Sequence, residues 1–144
     1  MHGNWHHLAL AVKDMEAVKR FYCQLLDFEV DWEKENVAGE AFSKIVSLPH
    51  AIAQIVMLRG YGARLELFRY HNPQGSDTSP KRQCDCGYTH FALSVTDIWN
   101  WYNTLSSSGV VFHCPPQNLR LGVWVTYMND PEGNTIELVE YLEK

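Results

Sequence analysis

The sequence predicts an α+β protein built from two tandem βαβββ modules, and three observations predict it. First, His7-Leu-Ala-Leu-Ala-Val-Lys-Asp14 returns 83 residues later as His90-Phe-Ala-Leu-Ser-Val-Thr-Asp97, identical at five of eight positions. Second, each copy is followed by apolar residues at helical spacing and then by strand-like runs. Third, each half closes on an apolar strand holding one central glutamate, Arg64-Leu-Glu66-Leu-Phe-Arg-Tyr70 and Asn134-Thr-Ile-Glu137-Leu-Val-Glu-Tyr141.

Residues 5–12 alternate and read as a strand. Asp14 then stands where a helix N-cap belongs, with Glu16 in the first turn, where the helix dipole favours an acid. Val18, Phe21, Tyr22, Leu25 and Leu26 form the apolar stripe of an amphipathic helix that stops near Asp27. Phe28–Trp32 opens a second strand, and runs near 52–59 and 63–70 complete the first βαβββ order. The second half repeats it. A strand covers about 88–95, and Asp97 caps a helix carrying Ile98, Trp101, Tyr102 and Leu105, which Gly109 ends. Strands follow near 110–113, 122–128 and 134–141, the last two joined by the turn Asp130-Pro-Glu-Gly133-Asn.

With 144 residues, 46% of them hydrophobic, the chain fits one domain spanning 1–144. Module one covers about 4–71 and module two about 87–144. The polar stretch at about 72–86 reads as a flexible connector. Neither module has enough residues to close a core by itself. A formal charge of −5 argues against a nucleic-acid partner, and no apolar run approaches the length that crosses a bilayer. The opening residues lack a signal-peptide pattern, so a cytoplasmic protein is expected. Four cysteines are too few and too irregular for a disulfide scaffold. Cys84-Asp-Cys86 could bind metal or cycle redox state, but no second pair completes a zinc site, and reduced, incidental thiols are the reading preferred.

Strand parity points to a hollow. His7, Ala9 and Ala11 share one face, while Leu8, Leu10 and Val12 share the other, which should pack beneath the helix. His90, Ala92 and Ser94 repeat the pattern opposite Phe91, Leu93 and Val95. Small residues beside each histidine leave space that a face packed to native density would fill. Glu66 lies between Leu65 and Leu67, and Glu137 between Ile136 and Leu138, so both carboxylates turn to the histidine side. A lone histidine at a strand start is more often a surface or hydrogen-bonded residue, and a lone glutamate can face solvent. Both features occurring twice, with matching parity, favour a divalent cation held by His7, Glu66, His90 and Glu137. His2, His50, His71 and His113 have no counterpart in the other half, and His6 is expected to point to the face opposite His7, which alone stands seven residues before its module's Asp as His90 does; all five are taken as non-ligands.

These phrases, with Phe21-Tyr22, Leu26-Asp-Phe28 and Asn129-Asp-Pro-Glu-Gly-Asn-Thr-Ile-Glu137-Leu, resemble the vicinal oxygen chelate superfamily over essentially the whole chain. That superfamily includes glyoxalase I, methylmalonyl-CoA epimerase, extradiol dioxygenases, and the fosfomycin and bleomycin resistance proteins. The usual Leu-Gly at the helix end is Leu26-Asp27 here. The resemblance implies a cup-shaped, barrel-like mixed sheet around one metal ion, a homodimer, and His7, Glu66, His90 and Glu137 at all four ligand positions. It leaves open whether one site draws its ligands from one chain or from two.

Two imidazoles and two carboxylates suit Ni, Co, Zn, Mn or Fe as the divalent ion, with two open positions for neighbouring oxygens of a small-molecule substrate. The ion would act as a Lewis acid while a proton leaves the adjacent carbon. Glu66 or Glu137 would carry that proton, with Glu137 preferred. This glyoxalase-I-like lyase or isomerase/epimerase reading competes with an Fe(II) extradiol-type ring-cleavage dioxygenase on His7, His90 and Glu137, in which Glu66 would not be a ligand. A metal-free, bleomycin-resistance-like drug-binding protein is the alternative from another class; keeping all four residues argues against it. A fosfomycin-type thiol transferase would add a K⁺-binding loop not found here. Parity puts Arg64, Phe68 and Tyr70 on the Glu66 face, where they would contact a partly apolar or aromatic substrate.

Overall fold

A computed structural model of the chain describes residues 2–76 and 82–142. It divides into two compact units, Met1–Asp77 and Thr78–Lys144, which meet inside the expected connector. Part of that connector, 77–81, lies outside the described residues.

Unit one runs β1 (Leu8–Ala11), α1 (Met15–Arg20), β2 (Glu29–Ala38), α2 (Glu40–Val46), β3 (Ile52–Gly60) and β4 (Ala63–Asn72). A π-helical turn, Phe21–Leu25, extends α1. Its sheet has the order β1-β4-β3-β2, with β1 parallel to β4 and the other pairs antiparallel. The Asp14 carboxylate caps α1 by accepting from the Ala17 N–H at 3.0 Å. The helical stripe buries Met15, Val18, Phe21, Tyr22 and Leu26, while Val56, Leu58, Leu65 and Leu67 are buried on the sheet. Fully burying side chains of this size contributes about 1.5–3 kcal/mol each.

Two features of unit one depart from the sequence expectation. β2 reaches Ala38 because register shifts at Val30/Trp32 and Lys34/Val37 break the alternation that would have marked its length. The helix α2 makes the order βαβαββ. None of its residues is buried, so it carries no apolar stripe for periodicity to detect.

Unit two keeps the expected order: β5 (His90–Ser94), α3 (Ile98–Ser107), β6 (Gln117–Arg120), β7 (Val123–Asn129) and β8 (Thr135–Tyr141). The sheet order is β5-β8-β7-β6, with β5 parallel to β8. Asp97 caps α3 through the Asn100 N–H at 3.2 Å. Glu140 accepts from the N–H groups of Asp97 and Ile98 at 2.5 and 3.3 Å. The strand expected near 110–113 is reduced to one bridge between Phe112 and Met128. The fourth strand is instead Gln117–Arg120, whose four exposed residues show no apolar alternation. The β7–β8 turn is built as its sequence implies: the Asp130 carboxylate accepts from the N–H groups of Glu132 and Asn134, both at 2.9 Å. Gly133 supplies the positive φ of 84°.

Among the described residues no helix is long and apolar enough to cross a membrane. Cys84, Cys86 and Cys114 are exposed and Cys23 is half-buried; all four are free thiols.

Candidate functional site

In unit one, the parallel register sets Ala9 beside Glu66, with Leu8 beside Leu65 on the opposite face. His7 immediately precedes β1, and its Nε2 lies 3.0 Å from Glu66 Oε2. The carboxylate side chain is only 12% exposed and the imidazole 33%. A leucine on either side of Glu66 is buried beneath the sheet, which holds the carboxylate on the other face. His7 Nδ1 meets His6 Nδ1 at 2.6 Å, and His6 Nε2 meets Arg64 Nη1 at 3.3 Å.

Unit two repeats the arrangement. Ala92 stands beside Glu137 in the parallel β5–β8 register, and Tyr127 lies across from Glu137 on β7. His90 Nε2 is 3.0 Å from Glu137 Oε2, with side-chain exposures of 27% and 19%. His90 Nδ1 is met by Gln83 Oε1 at 3.2 Å and Thr89 Oγ1 at 3.0 Å. Gln83 in turn donates from Nε2 to Thr135 Oγ1 at 3.0 Å.

The four residues singled out in the sequence thus come together as two His–Glu pairs. Among the described residues no three His, Cys, Asp or Glu side chains cluster closely enough to hold a metal ion. The donor chemistry of each pair nevertheless fits a divalent cation. Both histidines direct Nε2 at a carboxylate oxygen and engage Nδ1 with another side chain, the division of labour seen in metal-binding imidazoles. The separation of 3.0 Å in each pair is that of an ordinary hydrogen bond. It is also the spacing of neighbouring ligands at right angles with bonds of about 2.1 Å, which is ~3.0 Å.

Arg64 shares the Glu66 face, but its guanidinium engages Asp31 at 3.3 Å besides His6. Phe68 and Tyr70 stack at 5.7 Å between centroids with planes 13° apart. Phe42 of α2 stacks on Tyr70 at 6.5 Å and 11°, a contact the sequence could not give because α2 itself was hidden. Burial, reinforced by the Glu66 carboxylate, raises the Tyr70 phenol above its ordinary pKa. Burial and then Glu137 do the same to Tyr127. Both phenols therefore stay neutral and able to donate. Tyr127 packs against His90 at 4.9 Å and against His113 at 5.8 Å. His113, set aside in the sequence for want of a counterpart, is oriented by Asn129 Oδ1, 3.0 Å from its Nε2. Gln83, Thr89 and Tyr127 were also missed. Tyr127 lies ten residues before Glu137 on a neighbouring strand, and parity alone could have placed it on that face.

The family model described as Glyoxalase/Bleomycin resistance protein/Dioxygenase superfamily matches residues 4–138. The uncharacterised protein YaeR of Escherichia coli (strain K12) is 30% identical over 94% of each chain. A 2-epi-5-epi-valiolone epimerase from Actinomyces sp is 31% identical, over 93% of this chain and 77% of its own. A probable lactoylglutathione lyase of Synechocystis sp. (strain ATCC 27184 / PCC 6803 / Kazusa) is 26% identical over 96% and 95%. Among solved structures, a glyoxalase family protein from Bacillus cereus superposes with a TM-score of 0.86 at 20% identity, covering 96% of this chain and 93% of that one. The fosfomycin resistance protein FosX from Listeria monocytogenes, solved with Mn(II) and sulfate, gives 0.65 at 16%, covering 97% and 93%. With its repeated His phrase, its two parallel-edged four-stranded sheets and this match along nearly its whole length, the chain belongs to the glyoxalase/bleomycin resistance protein/dioxygenase superfamily.

Proposed function

We propose that the protein is a divalent-metal-dependent, glyoxalase-I-like lyase or isomerase/epimerase. It would move a proton at the carbon next to a carbonyl of a small organic substrate. The observation that carries this reading is the duplicated pair: His7 with Glu66 and His90 with Glu137, each at 3.0 Å and each backed at Nδ1. The probable lactoylglutathione lyase and the epimerase among its relatives support the reaction class. The Mn(II) in the FosX structure supports the kind of cofactor.

His7, Glu66, His90 and Glu137 would hold the ion, in one chain or with two subunits each lending a pair, as in a homodimer. When bound, the ion supplies Lewis-acid polarisation of the substrate carbonyl and charge balance for the two carboxylates. Glu137, the more exposed carboxylate, takes the proton from the adjacent carbon and returns it. The neutral Tyr127 and Tyr70 phenols offer hydrogen bonds to substrate oxygen. Phe42, Phe68 and Tyr70 form an apolar wall against water on the Glu66 side. Glu66 makes the same contact to His7 that Glu137 makes to His90, which favours four ligands over the three of an extradiol dioxygenase.

Protein purified without chelator is expected to carry about one divalent ion per chain. It should also exchange a proton with solvent deuterium next to the carbonyl of the methylglyoxal–glutathione hemithioacetal or of an α-hydroxyketone, without oxygen uptake. Failure to bind any divalent ion after reconstitution, or exchange coupled to oxygen consumption, would overturn the reading.

A further inference from the structure

The two His–Glu pairs match at Nε2 and differ in what reaches Nδ1. In unit one a donor-only group sets the direction of every hydrogen bond. Arg64 can only donate, so His6 Nε2, at 3.3 Å, must accept. A neutral His6 then carries its proton on Nδ1 and gives it to His7 Nδ1 at 2.6 Å. His7 in turn carries its proton on Nε2 and donates it to Glu66 at 3.0 Å. In unit two the direction reverses. Gln83 donates from its amide nitrogen to Thr135, leaving its carbonyl oxygen to accept from His90 Nδ1 at 3.2 Å, where Thr89 Oγ1 at 3.0 Å serves as a second acceptor. The proton of a neutral His90 is then on Nδ1. Its Nε2 then presents a lone pair to the Glu137 carboxylate at 3.0 Å, two acceptors that repel unless a cation or a second proton lies between them.

We propose that Gln83 and the Arg64–His6 pair are positioning residues that set the two imidazoles to opposite tautomers. The His90–Glu137 pair takes the divalent cation first, and His7 joins only as His6 lets go of Arg64. This rests on the metal-dependent reading above and goes beyond it, since it assigns a role to three residues outside the ligand set and an order to assembly. For His7 to offer Nε2, its proton must move to Nδ1, and His6 Nδ1 must become the acceptor. His6 then carries its proton on Nε2, where Arg64 can no longer donate. Arg64, still held at Asp31, becomes available to another acceptor on the Glu66 face.

The test has two arms. In metal-free protein, ¹⁵N-histidine NMR is expected to show the proton on Nδ1 of His90 and on Nε2 of His7; the reverse at His90 would overturn the proposal. In the second arm Zn(II) affinity is measured by competition with a chromophoric chelator. Gln83→Leu removes the acceptor and is expected to weaken Zn(II) by about 10–100-fold, the range for loss of an outer partner of a metal-bound histidine. Gln83→Glu, which keeps an acceptor, should restore most of it. Arg64→Met, which keeps the stem and loses the donor, is expected to tighten Zn(II) several-fold and to shift the His6 and His7 nitrogen signals. Gln83→Leu within twofold of wild type, or Arg64→Met weakened as much as Gln83→Leu, would overturn it. Wild-type protein that binds no Zn(II) sinks the metal-dependent function itself and the order of assembly with it. The NMR arm then still decides the tautomers.

Discussion

Ala92 and Leu93 are adjacent on β5 and face opposite ways, so substituting each separates the site from the core. Leu93 is 5% exposed and lies beside Leu138, which is fully buried. Leu93→Ala removes three carbons from a packed face and is expected to cost about 2–5 kcal/mol. Ala92 is exposed and lies beside Glu137. Ala92→Leu adds the same three carbons where nothing is packed, so its stability change should stay within about 0.5 kcal/mol. Strands in a sheet are about 4.8 Å apart, so a leucine at 92 reaches over the Glu137 carboxylate. Stability is read from urea denaturation. The site is read from binding of acetohydroxamate, a small bidentate oxygen ligand, to Co(II)-loaded protein by visible absorption. Ala92→Leu should weaken that binding at least about tenfold, or ~1.4 kcal/mol, whereas Leu93→Ala should leave it nearly unchanged in the fraction that remains folded. If Ala92→Leu costs as much stability as Leu93→Ala, or binds the probe like wild type, the assignment of faces is wrong.

Glu66→Gln replaces a nearly buried carboxylate by a neutral group and should weaken Zn(II) more than tenfold in chelator competition. Unchanged affinity would point instead to three ligands. Gly60→Ala would place a Cβ 2.8 Å from Phe28 Cδ1 and 3.0 Å from its Cγ. That ring is 4% exposed and pinned between Tyr22 and Tyr61, so a loss of about 1–3 kcal/mol in urea denaturation is expected. Tyr61, Tyr70 and Tyr127 all have phenols raised above 10.0, chiefly by burial. Because the fold favours their neutral form, their contribution is fully present below pH 10.0 and is lost as pH climbs through the higher folded values. Phenolate absorbance should show Tyr61, Tyr70 and Tyr127 titrating late, with the urea midpoint falling over the same range; ordinary titration of these three would contradict the burial.

The sequence made the duplicated elements legible because local chemistry and burial agree there. Asp14 and Asp97 cap helices whose apolar stripes are buried, and Glu66 and Glu137 lie between buried leucine or isoleucine neighbours that fix their direction. It hid α2 and β6 for one shared reason: neither buries a side chain, so neither leaves an apolar period to read. It also hid the residues that serve the histidines. Gln83 lies seven residues before His90 in a polar stretch. Its contact depends on how that segment returns to Thr135 at the start of β8, which no spacing rule supplies.

The duplication nevertheless extends into these supporting contacts. The residue immediately before each histidine, His6 or Thr89, touches that histidine's Nδ1. The residue two before each glutamate, Arg64 or Thr135, touches a bridging side chain, His6 or Gln83. Each half therefore closes a circuit from strand to bridge to imidazole to carboxylate and back. What differs is the sense of donation, because arginine can only give a proton and threonine here receives one. The bridges differ as well, His6 adjoining its histidine and Gln83 lying seven residues before its own, so two copies of the same ligand pair become unequal halves through the residues around them. A circuit that begins at a donor-only cation holds its imidazole proton against the carboxylate, while one that ends at a hydroxyl leaves the imidazole lone pair facing it. Substitutions among these strand and bridging residues would thus change how readily each half accepts an ion without altering a single ligand.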